Sequence, residues 1–354
     1  MGELRLMKGN EALGEAAIRA GLQGYFGYPI TPQSEVIEYL AQQEPNHDYV
    51  LLQAESEVAA VNMMYGAGGA GARILTTTSS PGFSLMQEGI SYIACAEIPC
   101  LFCNVVRGGP GLGTIQPSQS DYFQSTKGGG HGDYHTIVLA PNSVQEMVDF
   151  VYLGFELADK YRTPVTMLSD GAIGQMMEKV ELPEPLEYKP NKPWATTGKT
   201  KDRERNILTS LYIQPEDMEK KNQKLQKKYE KIKKNEVRFE EYQTEDAEII
   251  ITSFGLSSRV CRKSVDIGRE DGMKVGLFRP QTVWPFPWEK LSEYADKKNI
   301  KFFISVEMNA GQMVEDVKLA VCGKKPVHFY GRMGGIVPEP DEVYEHIKKL
   351  SQKE

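Results

Sequence analysis

Four short segments hold side chains whose types could do chemistry together. Gly27-Tyr28-Pro29-Ile30-Thr31-Pro32 ends a strand-like run. Ala54-Glu55-Ser56-Glu57-Val58-Ala59-Ala60 sets two carboxyls among small residues. Thr76-Thr77-Thr78-Ser79-Ser80-Pro81-Gly82 runs into a helical pattern, and Arg107-Gly108-Gly109-Pro110-Gly111-Leu112-Gly113 follows an apolar run. Such types suit recognition of an anion and control of a proton. A carboxyl at 55 or 57 can hold a proton in place. A guanidinium at 107 can take a carboxylate through two parallel bonds. A helix start at Ser80-Pro81-Gly82 suits an anion or the close approach of a ligand. Plainer roles compete: an exposed helix-start glutamate, which fits Glu55 better, a surface arginine, and Thr31 as a helix cap with Pro32 at the first helical position.

The elements that must position these residues alternate between helix and strand. Helical spacing covers Asn10 to Ala20, Ser34 to Gln42, Ser56 to Tyr65, Phe83 to Ala94 and Ser143 to Lys160. Short apolar runs at Tyr25–Tyr28, Tyr49–Leu52, Arg73–Thr78, Cys100–Val106 and Pro164–Leu168 read as strands. Strands of this kind separated by helices form a parallel sheet with helices on its faces. Three of the four segments lie where strand meets loop, so they can share the carboxyl edge of one sheet, where open α/β sheets bind ligands. After Leu182 the chain turns proline-rich and charged, as linkers are. Met218, Leu225, Tyr229, Ile232 and Phe239 then mark a narrow apolar stripe on a charged helix between Glu216 and Glu241. Strands at Ile249–Ile251, Val275–Phe278 and Phe302–Val306 announce a second α/β unit.

Composition limits the classes. The chain has 354 residues, 40% hydrophobic and 25% charged, with net charge -7, so a disordered chain is excluded and two domains are expected. Five cysteines are too few for a disulfide scaffold, and no apolar run reaches the ~20 residues that span a bilayer. The acidic balance argues against nucleic acid as a partner. The opening residues lack the basic and apolar regions of a signal peptide, so the cytoplasm is the expected location.

Three motifs mislead. Gly66-Ala67-Gly68-Gly69-Ala70-Gly71 spells a dinucleotide fingerprint, but a helix precedes it and a strand follows, the reverse of what that motif needs. Small residues packing a helix end on a sheet are the better reading. Cys95, Cys100 and Cys103 imitate part of an iron–sulfur site, yet strand alternation sends Cys100 and Cys103 to opposite faces. His131 and His135 flank Asp133 in a glycine-rich stretch that suits an active-site loop better than a metal site, so no metal ligands are expected.

The order of these segments resembles the pyrimidine-binding domain of thiamine diphosphate enzymes. The Tyr28-Pro29-Ile30-Thr31-Pro32 sequence makes it most similar to the 2-oxoacid:ferredoxin oxidoreductases, over nearly the whole chain and closest to the branched-chain type. Phe278-Arg279-Pro280, Trp284-Pro285-Phe286-Pro287 and the stretch from Glu307 to Asp316 resemble that family's transketolase C-terminal-type domain. The resemblance implies a pyrimidine-type domain at 1–182, a linker with a charged amphipathic helix at 183–246, and a transketolase C-terminal-like domain at 247–354.

The resemblance also implies roles. Glu57, with Ala60 three residues later as the family pattern requires, is the catalytic carboxyl held against the cofactor's pyrimidine. Thr31 and Arg107 contact the substrate. Pro29, Ile30, Ser80, Pro81 and Gly82 join Glu57 around the cofactor. Ser169-Asp170-Gly171 is the nearest approach to a diphosphate motif and lacks its first glycine. Diphosphate, magnesium and [4Fe-4S] clusters would then come from partners: a beta-type subunit, gamma-type and ferredoxin-like delta-type subunits, and ferredoxin, in a dimer of heteromers. Coenzyme A is the implied co-substrate. The implied reaction is coenzyme A-dependent oxidative decarboxylation of a 2-oxoacid. Gly108 to Thr126 contains no cation, and Lys127 is the first. This favours 2-oxoisovalerate (3-methyl-2-oxobutanoate) over 2-oxoglutarate, with Leu112, Ile115, Tyr122 and Phe123 lining an apolar pocket. A 2-oxoglutarate-specific subunit and a non-catalytic paralogue are the alternatives.

Overall fold

Runs of consecutive apolar residues become strands buried on both faces, and the helices between them fold back on the sheet. The computed structural model describes residues 2–199 and 201–353. The first part comprises β1 (Glu3–Lys8), α1 (Gly9–Arg19), β2 (Gly24–Gly27), α2 (Ser34–Gln43), β3 (Val50–Gln53), α3 (Glu57–Gly69), β4 (Ile74–Thr78), α4 (Ser80–Leu85), α5 (Gln87–Ala96) and β5 (Cys100–Val106). It continues through α6 (Tyr122–Thr126), β6 (Ile137–Leu139), α7 (Val144–Tyr161), β7 (Pro164–Asp170), α8 (Gly171–Gln175) and β8 (Met177–Leu182). Then come α9 (Pro215–Asn235), β9 (Phe239–Tyr242), β10 (Ile249–Thr252), α10 (Gly255–Glu270), β11 (Val275–Pro280) and β12 (Thr282–Trp284). The chain closes with α11 (Trp288–Asp296), β13 (Phe302–Glu307), α12 (Met313–Val321), β14 (Val327–Gly331) and α13 (Pro340–Ser351).

The main sheet has seven strands in the order β12-β6-β7-β5-β4-β2-β3. All its pairs are parallel except β12 with β6, where Thr282 faces Leu139 and Trp284 faces Val138. A strand from the second unit therefore completes the sheet of the first. The second sheet is β14-β13-β10-β11-β9, parallel but for its edge strand β9. β1 and β8 form a separate antiparallel pair. Among the described residues no helix is long and apolar enough to cross a membrane.

Several sequence-level readings need correction. Thr31 does not cap α2: the helix starts at Ser34 behind Gln33, which lacks a side-chain cap bond. Residues 30–33 form a turn instead, closed by Gln33 N–H on Ile30 O at 3.0 Å. The helix expected over Phe83–Ala94 is two, α4 and α5, meeting at Met86. Phe239 leaves the apolar stripe of α9, because that helix ends at Asn235 and Phe239 opens β9.

Other readings stand. The glycine run lies at the end of α3, and a Cβ on Gly68 would meet Ile98 Cγ2 at 2.6 Å and Ile74 Cδ1 at 2.8 Å. Cys103 packs with Leu101 and Val105 in the largest apolar cluster, while Cys100 packs with Phe102 in another. All five cysteines are free thiols.

Helix α9 explains its lysines. Leu225, Tyr229 and Ile232 bury its apolar stripe. Beside them Glu97, itself buried, receives Lys221 and Lys224 at 2.6 Å each and Lys228 at 3.3 Å. Burial would push the Glu97 carboxyl up, but the hydrogen bonds from Lys221 and Lys224 prevail and draw it down to about 2. A carboxyl lowered in the folded state stabilises the fold above its ordinary value of 4.5 and loses that contribution as pH falls toward 2. Glu97→Ala leaves partly buried ammonium groups uncompensated and is expected to cost on the order of 3 kcal/mol near neutral pH. Thermal melts of wild type and variant should differ at pH 7 and converge as pH falls toward 2.

Candidate functional site

Strands β2, β3, β4, β5 and β7 run in one direction, so their carboxyl ends line one edge, and the four chemistry-bearing segments follow from that edge. Ser56 caps α3, its hydroxyl accepting Ala59 N–H at 3.2 Å. The cap makes Glu57 the first residue of the helix, where a carboxylate faces the positive end of the helix dipole. Glu57 is 5% exposed. Among the described residues its carboxylate has neither a hydrogen-bond nor an ion-pair partner. Glu55 is exposed. A Cβ on Gly82 would fall against Thr78 Oγ1 and Glu57 Oε1, so the missing side chain lets the start of α4 approach the carboxylate closely, and this close seat is the Gly82 cradle.

Arg107 is 8% exposed at the end of β5. Its Nη1 donates to Thr31 O and its Nη2 to Leu112 O, each at 2.9 Å. Ser80 Oγ accepts Arg107 N–H at 3.1 Å and donates to Arg107 O at 3.3 Å. The loop carrying Thr31 is pinned by a buried chain in which Tyr25 OH meets Thr77 Oγ1 at 2.7 Å and Thr77 Oγ1 donates to Gln33 Oε1 at 2.5 Å. Gln33 Nε2 then donates to Tyr28 O at 3.0 Å, and Asn10 Nδ2 donates to Pro32 O at 2.8 Å. Thr31, Ser80 and Arg107 thus form one connected group, and Glu57 with Gly82 lies across the start of α4 from it. Pro29 is exposed and Ile30 partly so in the same loop, with Pro81 between Ser80 and Gly82.

A cleft of about 610 Å³ opens from this edge toward the second unit. Ser80, Pro81, Arg107, Leu112 and Asp121 line one side, and Met308, Asn309, Gln312 and Met333 the other. Among the described lining residues Arg107 is the one cation and Asp121 the one carboxyl. The apolar pocket expected from the sequence is redrawn. Leu112 lines the cleft, but Ile115, Tyr122 and Phe123 do not. Tyr122 is fully buried and donates to Asp316 Oδ2 at 2.7 Å, so its ring belongs to the junction between units. Lys127 pairs with the same carboxylate at 2.6 Å.

Residues that the sequence reading passed over hold the two sides together. Gln119, 3% exposed, donates from Nε2 to Phe254 O at 2.6 Å. Its Oε1 accepts from Ser257 Oγ at 2.8 Å and Met308 N–H at 2.9 Å. Asn104 was also missed, although it is the one polar residue in the buried run of β5. That break in an apolar run was the available signal. Asp170 caps α8 through Ala172 and Ile173 N–H, and burial lifts its carboxyl to about 6 against those bonds. His135 stacks on Trp284 with ring centroids 4.5 Å apart, and burial with Lys233 nearby lowers it to about 4. His131 is exposed. Among the described residues there is no group of three or more histidines, cysteines and carboxylates able to hold a metal ion.

The donor set fits the pyrimidine end of a thiamine cofactor. Thr78 Oγ1, Ser79 Oγ and Arg107 Nε are buried with no partner, and the Gly82 cradle lies beside a buried carboxylate. A parallel sheet with these residues at its carboxyl edge, followed by a second α/β unit, defines the thiamine diphosphate-binding class of fold. Residues 15–242 match the family model described as pyruvate flavodoxin/ferredoxin oxidoreductase, thiamine diphosphate-binding, and residues 247–343 that of pyruvate:ferredoxin oxidoreductase core domain II. The chain belongs to this 2-oxoacid:ferredoxin oxidoreductase family. It is 48% identical to the ketoisovalerate oxidoreductase subunit VorB of Methanothermobacter marburgensis over 98% of both chains. It is 35% identical to the 2-oxoglutarate synthase subunit KorA of Methanothermobacter thermautotrophicus, over 99% of this chain and 100% of that one.

Among solved structures, the 2-oxoglutarate:ferredoxin oxidoreductase from Magnetococcus marinus, with 2-oxoglutarate, coenzyme A and succinyl-CoA bound, matches with a TM-score of 0.86 at 28% identity. That match covers 98% of this chain, which spans 65% of the length of the other. A split-gene transketolase matches with a TM-score of 0.61 at 12% identity, a likeness of fold alone.

Gly82→Ala tests the cradle. The added methyl must displace the Glu57 carboxylate or the Thr78 hydroxyl, with an expected cost of about 1–3 kcal/mol. Thermal melts of the full chain measure it, and Glu57→Ala in the same background should recover part of the loss.

Proposed function

We propose that this chain is the alpha-type subunit of a thiamine diphosphate-dependent 2-oxoacid:ferredoxin oxidoreductase and that its preferred substrate is a branched-chain 2-oxoacid such as 2-oxoisovalerate. The observation that carries the reading is the Glu57 carboxylate, on a residue 5% exposed, packed against Gly82 and with no protein partner among the described residues. A carboxyl so placed is free to accept a ligand atom in place of water. The pyrimidine ring of thiamine offers a ring nitrogen that shares a proton with such a group. When bound, thiamine diphosphate supplies the carbanion chemistry of decarboxylation.

This chain's own residues orient and select. Glu57, packed against Gly82 at the start of α4, would hold the proton at the pyrimidine nitrogen. Arg107, tethered to Thr31 O and Leu112 O, directs its remaining N–H groups to the substrate carboxylate. Thr31, whose backbone oxygen holds Arg107, would meet the substrate near its reacting carbon. Pro29, Ile30, Ser80, Pro81 and Gly82 shape the cofactor's bed.

Substrate choice follows from the lining. A second carboxylate, as in 2-oxoglutarate, requires a second cation, and Arg107 stands alone among the described lining residues. Lys127 is engaged with Asp316. Leu112, Met308 and Met333 suit an aliphatic side chain, in keeping with the ketoisovalerate name of the relatives at 47–48% identity. Partner subunits hold the diphosphate, magnesium and [4Fe-4S] clusters, ferredoxin takes the electrons, and coenzyme A takes the acyl group. The assembly is cytoplasmic, a dimer of heteromers with beta-, gamma- and delta-type subunits.

The test is viologen reduction dependent on coenzyme A, measured with the chain assembled on its neighbouring subunits. 2-Oxoisovalerate is expected to outperform pyruvate and 2-oxoglutarate. A preference for 2-oxoglutarate would overturn the substrate assignment and leave the mechanism. Glu57→Gln should lower turnover by about 100-fold or more, and full activity in that variant would end the assignment of Glu57. Arg107→Ala should raise KM for the 2-oxoacid roughly 10- to 100-fold, since hydrogen bonds to charged groups are worth about 1.5–3 kcal/mol each.

A further inference from the structure

The cleft contains a carboxyl to which the functional reading gives no role. Asp121 lines it with Ser80 and Arg107. Asp121 Oδ2 accepts Asn104 Nδ2–H at 2.8 Å. Asn104 is fully buried on β5 beneath the cleft, and its Oδ1 accepts the Ser80 N–H at 2.9 Å. Ser80 Oγ then grips the backbone of Arg107 from both sides, at 3.1 and 3.3 Å. An unbroken polar chain thus runs from Asp121 through Asn104 and Ser80 to Arg107.

The chemistry fixes the direction of this chain. The Asn104 oxygen must face the Ser80 N–H, and its amide nitrogen must face the carboxylate. A flipped amide would set donor against donor and oxygen against carboxylate. Asp121 and the Ser80 N–H therefore select the same orientation of Asn104, and Asp121 holds the amide in that place at the start of α4. Burial raises the Asp121 carboxyl, while the Ser80 side chain, which Asp121 also meets directly, and Asn104 oppose that rise. An amide in the middle of a Cys-Leu-Phe-Cys-Asn-Val-Val strand carries a desolvation cost that an apolar residue would not. The arrangement offsets that cost by ordering the start of α4, which touches Glu57 through Gly82 and Arg107 through Ser80.

We infer that Asp121 is a positioning residue: through Asn104, and through its own contact with the Ser80 side chain, it sets the start of α4 and the backbone of Arg107, and so the geometry with which Arg107 meets the substrate carboxylate. The substrate half of this inference rests on the proposed function. The ordering of α4 does not.

The two halves are tested separately in the assembled complex. Hydrogen exchange of peptides spanning Ser80 to Phe83 should quicken at least tenfold in Asp121→Ala, with exchange at Ile249–Thr252 unchanged. Unaltered exchange at Ser80 overturns the inference, whatever the activity. In steady-state assays Asp121→Ala should raise KM for the 2-oxoacid about tenfold with less than a threefold change in kcat. Asp121→Asn should restore most of the loss, because its amide oxygen still accepts from Asn104.

The double variant Asp121→Ala/Asn104→Ala should be no worse than the poorer single variant, as expected of residues acting in series. Additive losses would show that the two act separately and would refute the chain. Losses that track melting temperature in every variant would reduce it to ordinary structural support. Should Asn104→Ala fail to fold, the exchange data and the Asp121→Asn rescue still decide. A wild-type complex inactive with every 2-oxoacid would count against the proposed function and leave the exchange result standing.

Discussion

One buried amide carries the junction on which the candidate site depends. Gln119 is bonded from both its side-chain and backbone groups, to Phe254 O, Ser257 Oγ and Met308 on the far side. Its backbone oxygen also accepts Asn309 Nδ2 at 2.9 Å. An amide satisfied in this way has one orientation and one position. The stretch that follows it in sequence supplies Asp121 to the cleft, and the stretch it grips, 308–309, supplies the opposite wall. Without that junction the carboxyl edge of the main sheet would face solvent on that side, and Arg107 would lose its low-dielectric surroundings. Tyr122 and Lys127 add a second tether through Asp316 a few residues later.

The parts of this fold legible in the sequence were those set by local pattern. Strand β5 matches its apolar run from Cys100 to Val106, and helix α7 follows the helical spacing from Ser143 to Lys160, with Ser143 as its cap. Glu57 was separable from Glu55 by the alanine pattern after it, and burial divides the two in the same sense. The misses share a physical cause. Strand β12 has three residues, too short for any periodicity, and owes its conformation to β6 across the chain. Gln119, Asn104 and Asp121 are polar residues whose importance comes from partners distant in sequence. Tyr122 and Phe123 looked like pocket walls because they are apolar residues in a stretch, Gly108 to Thr126, that holds no cation. What the sequence could not display was Asp316, which draws the Tyr122 hydroxyl away.

The lysines of α9 teach the same lesson from the other direction. Their density invites a reading as a surface for polyanions. Three of them instead converge on one carboxylate, Glu97, at the C-terminal end of α5. A single buried acid thereby fastens a helix whose own apolar stripe is narrow. The charge of the segment is partly an internal tether, and composition alone does not separate a tether from an exposed face.

The crossing of β12 into the main sheet has a consequence for how this polypeptide can be divided. The family models meet between residues 242 and 247, which suggests a natural place to cut. Yet a fragment ending there would leave β6 without its neighbour, with a row of unpaired peptide groups and the apolar side chains of Ile137, Val138 and Leu139 at a bare border. Such a border recruits strands from other copies. The two halves are therefore sequential in the gene but interleaved in space. Permutation or domain exchange between relatives would have to carry residues 282–284 along with the first half to preserve it.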